Sequence, residues 1–202
     1  MIPPLLSILI PTTIGREAEF GKLRSEIEHQ KNLLGMGFSF NPISVLYAVD
    51  NKEMTIGEKR EWLYHNSPGQ YSWQIDDDDT IPLGAISKIL YNITKHPDCI
   101  TFMEYCTING SVFSSNHSLK YQDWGEHQDG FDYVRTPFFK SVIKTEIAKS
   151  VPVPHIRFGE DHQWARLLKP CLNNEIHIDE YLYYYQHNSK PEDHNTRYGI
   201  TQ

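Results

Sequence analysis

The apolar run from Leu5 to Ile10, rich in Leu and Ile and stopped by Pro11, constrains this chain most. A continuous run of this kind suits a strand buried on both faces, as in a parallel sheet covered by helices. From Arg16 to Leu34, residues Phe20, Leu23, Ile27 and Leu34 recur at helical spacing among charged residues, and Gly35 supplies a stop. A second β-branched and aromatic run, Ile43 to Val49, ends on Asp50. The opening is therefore β-α-β, which predicts a doubly wound α/β architecture.

Further along, Gly57 to Leu63 reads as a short helix and Gln70 to Ile75 as a third strand. Thr80 and the carboxylates before it are expected to cap a helix with Pro82 in its first turn and Ile86, Ile89, Leu90 and Ile93 on its apolar face. Asn109-Gly110 between two β-rich runs is a two-residue hairpin signal, so the second half is expected to be partly antiparallel. Lys140 to Lys149 reads as a helix and Val151 to Phe158 as a proline-broken loop. Gly159 opens a helix through Leu168, and Ile176 to Tyr185 is a last strand before a polar tail from Asn188. At 202 residues, with no repeat and no linker composition, a single domain spanning 1–202 is expected.

Composition narrows the function classes. An apolar fraction of 39% supports a globular core, and a net charge of -7 counts against a long electrostatic grip on nucleic acid. Cys99, Cys106 and Cys171 have neither metal-type nor redox-type spacing and read as reduced thiols. The N-terminus lacks a basic region and a cleavage site, and no segment approaches bilayer-spanning length. A cytoplasmic protein without a membrane span is the expectation.

Two acidic sites carry the chemistry. Asp76-Asp77-Asp78-Asp79 follows the third strand, at the sheet edge where open α/β folds bind ligands. Capping of a helix would explain one or two aspartates; four in a row repel one another unless a hard cation such as Mg²⁺ or Mn²⁺ is present. An EF-hand is excluded, because its glycine position would be Ile81 and its closing glutamate Ser87. The second site, Gly159-Glu160-Asp161-His162, begins a helix whose dipole keeps a carboxylate ionised, as a base requires.

In this order and spacing the motifs resemble the family 2 glycosyltransferases, the inverting GT-A group, over roughly Leu5 to His187. Ser7-Ile8-Leu9-Ile10-Pro11-Thr12 looks like that family's first strand and nucleotide loop, and Val49-Asp50 like its base-holding acidic position. Gly57-Glu58-Lys59-Arg60 is similar to its Gly-x-x-Arg helix. Ile75-Asp76-Asp77-Asp78-Asp79 resembles its DXD motif, and Gly159-Glu160-Asp161 with Trp164 and Arg166 its Glu-Asp base motif. Tyr185-Gln186-His187 is similar to its late Tyr-x-x-His segment. The family's Asp-Asp-Gly-Ser after the second strand is replaced here by Asp50-Asn51-Lys52-Glu53.

The resemblance implies a GT-A-type, Rossmann-like α/β/α sandwich with a mainly parallel central sheet and a smaller antiparallel portion. The N-terminal half would bind the nucleotide-sugar and the C-terminal half the acceptor. It implies a nucleotide-sugar donor, with UDP expected, held by Pro11, Thr12, Thr13, Arg16, Asp50, Lys59, Arg60, Asp76 and Asp77. Mn²⁺ or Mg²⁺ would sit on Asp78, Asp76 and His187, and Asp161, beside Glu160, would be the base. Trp124 and His127, in a polar and aromatic loop, are the acceptor candidates, for a glycan, a lipid-linked sugar or a nucleic acid.

Rival readings remain. A sugar-phosphate nucleotidyltransferase would want a glycine-rich, basic loop after the first strand, where Pro11 to Arg16 has one glycine. A nuclease would want a basic stripe, and a non-catalytic sugar-nucleotide-binding module would lose Asp161. A glycosyltransferase acting on a modified DNA base keeps every motif, and nothing in the sequence separates it.

Overall fold

The computed structural model describes residues 3–35 and 41–187; the polar tail from Asn188 lies outside the described residues. The first strand, β1 (Leu6–Thr13), runs parallel to β2 (Ile43–Asp50) on one side and to β3 (Tyr71–Gln74) on the other. It continues through Pro11, where the sequence reading ended it. The Leu5 and Leu9 carbonyls accept from Tyr71 and Ile75, so odd-numbered residues of β1 face β3. Pro11, with no N–H to offer, falls on that side just where β3 has ended.

Helix α1 (Glu17–Leu34) joins β1 to β2, and α2 (Ile56–Asn66) joins β2 to β3. Thr55 caps α2 with a full capping box: its hydroxyl accepts from Glu58 N–H at 3.2 Å, while Glu58 accepts from Thr55 N–H at 2.6 Å. Helix α3 (Ala85–Ile93) buries Ile86, Ile89, Leu90 and Ile93 as the periodicity predicts. Its N-cap is Gly84 in a left-handed conformation, not Thr80, and Pro82 precedes the helix in a turn. Thr80 instead exchanges backbone hydrogen bonds with Tyr184.

The second half is built on β4 (Cys99–Ile108) and β5 (Ser111–His117), joined at Asn109-Gly110 with positive φ at both residues, as the hairpin signal requires. The segment read as a loop around Trp124 folds as a hairpin of β6 (Gly125–Gln128) and β7 (Phe131–Arg135). The helix expected over Lys140 to Lys149 is corrected to a three-residue strand, β8 (Val142–Lys144), followed by α4 (Thr145–Ser150). β8 is wedged antiparallel between β3 and β4. Its consecutive apolar residues serve opposite faces, Val142 in one core cluster and Ile143 in the other. Helix α5 (Glu160–Leu168) and the long β9 (Glu175–His187), parallel to β4, complete the described residues.

The described residues form a nine-stranded mixed sheet with a parallel core. One cluster packs α1 and α3 against β1, β3 and β4; the other packs α2, α4 and α5 on the opposite face. The two antiparallel steps through β8 return β4, and with it β9, to the direction of β1. The carboxyl ends of β1, β2, β3 and β9 therefore point the same way, toward the edge where open α/β sheets bind ligands.

Gly57 sets how closely α2 approaches the proline-broken loop. A Cβ there would stand 1.9 Å from the Pro154 carbonyl oxygen, which is backbone and cannot swing aside. Gly57→Ala is expected to lower unfolding stability by about 2 kcal/mol in a urea titration, the usual cost of overpacking; an unchanged midpoint would contradict this packing.

Candidate active site at the carboxyl edge of the sheet

A cleft of about 280 Å³ lies at this edge. Pro11, Thr12, Thr13 and Arg16 form one wall; Ile56, Lys59 and Arg60 of α2 form another. Asp76, Asp77 and Asp78 face them, and Tyr185, Gln186 and His187 close the cleft from the end of β9. A larger groove of about 930 Å³ shares Arg16, Asp77, Asp78 and His187 and extends toward Lys22 and Lys52.

Each carboxylate of the acidic turn has its own partners. Asp76 is held by Arg60 through both carboxylate oxygens, at 3.0 and 3.3 Å. Asp77 accepts from Thr12 Oγ1 at 2.6 Å and pairs with Arg16 at 2.7 Å. Arg16 also bridges to Asp78 at 2.6 Å, and there the side chains are 37% and 42% exposed, so this pair is the one open to exchange. Asp79 is buried, accepting from Tyr183 Oη at 2.7 Å and from Gln186 N–H at 3.1 Å. Burial pushes the Asp79 carboxyl up, against the pull of Lys140. Burial also raises Asp77, whereas at Asp76 burial is outweighed by Arg60 and the carboxyl sits below its ordinary value.

Lys59 and Arg60 are buried cations of α2. Lys59 pairs with Asp50 and donates to the Thr12 carbonyl at 2.6 Å, so it ties the end of β2 to the end of β1. Asp50 is thereby near the cleft without forming its wall. Arg60 spans more: Nη1 donates to Gln74 at 3.1 Å, Nε reaches Glu160 at 3.2 Å, and the guanidinium lies 4.5 Å from the Phe139 ring centroid. Its own acidity is suppressed, because Asp76 and Glu160 outweigh the effect of burial.

Of the two base candidates, Glu160 is buried on Arg60, and burial raises its carboxyl. Asp161, half-buried in the first turn of α5, accepts from its neighbour His162 N–H at 2.8 Å, and its charge acts on both Arg60 and Arg135. Trp124 stacks on His162 at 4.7 Å and lies under the Arg135 guanidinium at 4.6 Å, which places it beside the start of α5. His127 is not brought there; it is exposed on β6, next to the turn of the β6–β7 hairpin. His187 lies on the cleft wall with Nε2 buried and without a hydrogen-bond partner. Among the described residues, no group of three or more His, Cys, Asp or Glu is arranged to hold a metal.

Sequence reasoning missed the interior of the site. Lys140 pairs with Glu104, which lies 2.8 Å from His117 Nε2, and the Lys140 ammonium also lies 3.7 Å from Asp79. No local motif announces these partners. The Thr55-x-x-Glu58 capping box, by contrast, was readable and locates the start of α2 and so of Lys59 and Arg60.

A scan of family models finds no match to this chain, and a search of curated proteins by sequence finds none either. Solved structures do match. S. aureus TarS 1-349 superposes with a TM-score of 0.65 at 15% identity, covering 90% of this chain and 60% of that one. The same protein in complex with UDP-GlcNAc gives 0.66 at 14%, covering 92% and 59%. In complex with UDP it gives 0.63 at 16%, covering 95% and 62%. The chain thus spans about 60% of the length of these TarS structures, and at this identity the likeness is one of fold. No helix among the described residues is long and apolar enough to cross a membrane.

The buried Glu104 pair gives this site a pH signature. Burial opposes its ionisation, but Lys140 and His117 outweigh burial and hold the carboxyl down at about 2. A folded value below the ordinary 4.5 means stability that is present above 4.5 and lost as pH falls toward 2. His117, lowered chiefly by burial, adds loss in the same direction as it is forced to charge. Glu104→Gln is expected to be less stable at pH 7 and to show a flatter stability decline below pH 4.5, measured by denaturant titration across pH; a slope as steep as wild type would contradict the assignment.

Proposed function

We propose that this chain is a GT-A-type glycosyltransferase domain that moves a sugar from a nucleoside-diphosphate donor, a UDP-sugar, onto an acceptor hydroxyl with inversion. One observation carries the reading: a single cleft at the carboxyl edge gathers the β1 loop, the Lys59-Arg60 helix, the acidic turn and the end of β9. The order of motifs resembling family 2 and the fold shared with TarS, which has been solved with UDP and with UDP-GlcNAc, support it.

In this reading Arg16, the half-exposed cation of the cleft, turns from Asp77 and Asp78 to the donor phosphates, where its planar fork suits phosphate oxygens. Arg60 stays on Asp76 and Glu160 and holds the acidic turn against the start of α5. Asp161 takes the proton of the acceptor hydroxyl as its oxygen attacks the anomeric carbon, and the bond from that carbon to the diphosphate oxygen breaks on the opposite side. Trp124, with His162 stacked on its ring and Arg135 over it, would border the acceptor's approach to α5.

Asp76, Asp78 and the unpartnered Nε2 of His187 face one cleft without converging as a set of three, so one or two of them would hold a divalent ion, with phosphate oxygens and water completing its shell. Bound there, Mn²⁺ or Mg²⁺ would act as a Lewis acid, neutralising charge on the leaving diphosphate.

The test is thermal shift and donor hydrolysis with UDP-, GDP-, CMP- and dTDP-sugars, in Mn²⁺, Mg²⁺ or EDTA. A metal-dependent shift with one donor is expected, lost in Asp78→Ala and kept in Asp161→Asn. With an acceptor in hand, Asp161→Asn is expected to lower turnover by about 10²- to 10⁴-fold, the range for a lost general base. No shift with any donor under any metal would overturn the reading.

A further inference from the structure

The counter-charges of the acidic turn are of two kinds. Arg16 serves Asp77 and Asp78 from the open side of the cleft. Lys140 serves Asp79 from inside the protein, 12% exposed and on neither cavity wall. Its ammonium is fixed by Glu104 and lies 3.7 Å from the Tyr185 ring centroid and 4.7 Å from that of Tyr183.

Around Asp79 the turn and the end of β9 are stitched together. Tyr183 Oη donates to Asp79 at 2.7 Å and accepts from the Asp76 N–H at 3.1 Å. The other Asp79 oxygen accepts from Gln186 N–H at 3.1 Å. Thr80 and Tyr184 exchange backbone hydrogen bonds at 3.1 and 2.9 Å. These contacts set where Asp76 and Asp78 stand relative to His187, and of the side chains involved Tyr183 and Lys140 lie on neither cavity wall. A buried carboxylate among three others is tolerated only with a cation or donors at hand.

We propose that Lys140 is a positioning residue of the donor site: by compensating Asp79 from the interior, it keeps the acidic turn joined to the end of β9, so that Asp76, Asp78 and His187 face the cleft together. Interior cations thus hold the turn's shape, while the exposed Arg16 yields to ligand. The functional consequence rests on the nucleotide-sugar reading above. The positioning itself does not.

Two measurements on the full chain separate them. In ligand-free protein, NMR amide exchange is compared for wild type, Lys140→Met, Lys140→Arg and Tyr183→Phe. The Asp76 and Gln186 amides are expected to exchange faster in Lys140→Met, and the Asp76 amide in Tyr183→Phe, with amides of β1 and β2 unchanged. In calorimetric titrations of UDP with Mn²⁺, Lys140→Met is expected to bind about 10- to 100-fold more weakly, the range for lost outer-shell support of a metal site, with Lys140→Arg restoring most of it. Should Lys140→Met fail to fold, Lys140→Gln, which removes the charge but can still donate to Glu104, carries both tests. Unchanged Asp76 and Gln186 exchange in folded variants would overturn the positioning role. Wild-type affinity for Mn²⁺ with UDP in Lys140→Met would overturn its consequence for the donor site. A wild type that binds no UDP under any metal would sink the functional reading alone, leaving the exchange data to decide the positioning.

Discussion

The Arg60 guanidinium is the interaction on which the rest of the site depends. It emerges from α2, pairs with both Asp76 of the acidic turn and Glu160 of α5, and sits on the Phe139 ring. Gln74, the last residue of β3, accepts from Arg60 and donates back to its carbonyl at 3.2 Å. Three segments far apart in sequence are thereby fixed to one side chain. Burying such a charge costs several kcal/mol unless its donors are met, and removing one partner of a buried pair typically costs about 3–5 kcal/mol. Arg60 is met on every side, and the aromatic floor of Phe139, Trp164 and Tyr64 excludes water beneath it.

From that anchor the charges grade outward. Arg60 is buried and held between Asp76 and Glu160, and Lys140, 12% exposed, lies between Glu104 and Asp79; Arg16 is 37% exposed and bridges Asp77 and Asp78 at the cleft. A site for a diphosphate needs this grading. Carboxylates that must hold a hard cation repel one another until it arrives, and a flexible guanidinium at the mouth offsets that repulsion without filling the space permanently. The same arrangement leaves Asp161 at the mouth of α5, beside Trp124, where an acceptor hydroxyl would approach.

Much of the scaffold was legible because its signals are local. The apolar run of β1, the stripe of α3 and the Asn109-Gly110 turn each specify their element without help from the rest of the chain. β8 was not legible, since three residues carry no period, and Val142 and Ile143 look alike whether they line a helix or face two cores. Thr80 misled because a hydroxyl after four aspartates resembles a cap, and only the approach of Tyr184 across the sheet shows its backbone is already paired. The cleft's residues were named from motif order, and β1, α2, the acidic turn and β9 do bring them together. The partners that fix them lie tens of residues away, Glu160 to Arg60 and Lys140 to Asp79, and nothing near Lys140 in sequence marks it.

The most direct test is a crystal structure of the chain with UDP and Mn²⁺. The account predicts the diphosphate in the cleft between Thr12, Arg16, Asp78 and His187, with Arg16 released from Asp78 and Arg60 still on Asp76 and Glu160. A nucleotide bound elsewhere, or bound here with Arg60 pulled away from both carboxylates, would contradict it.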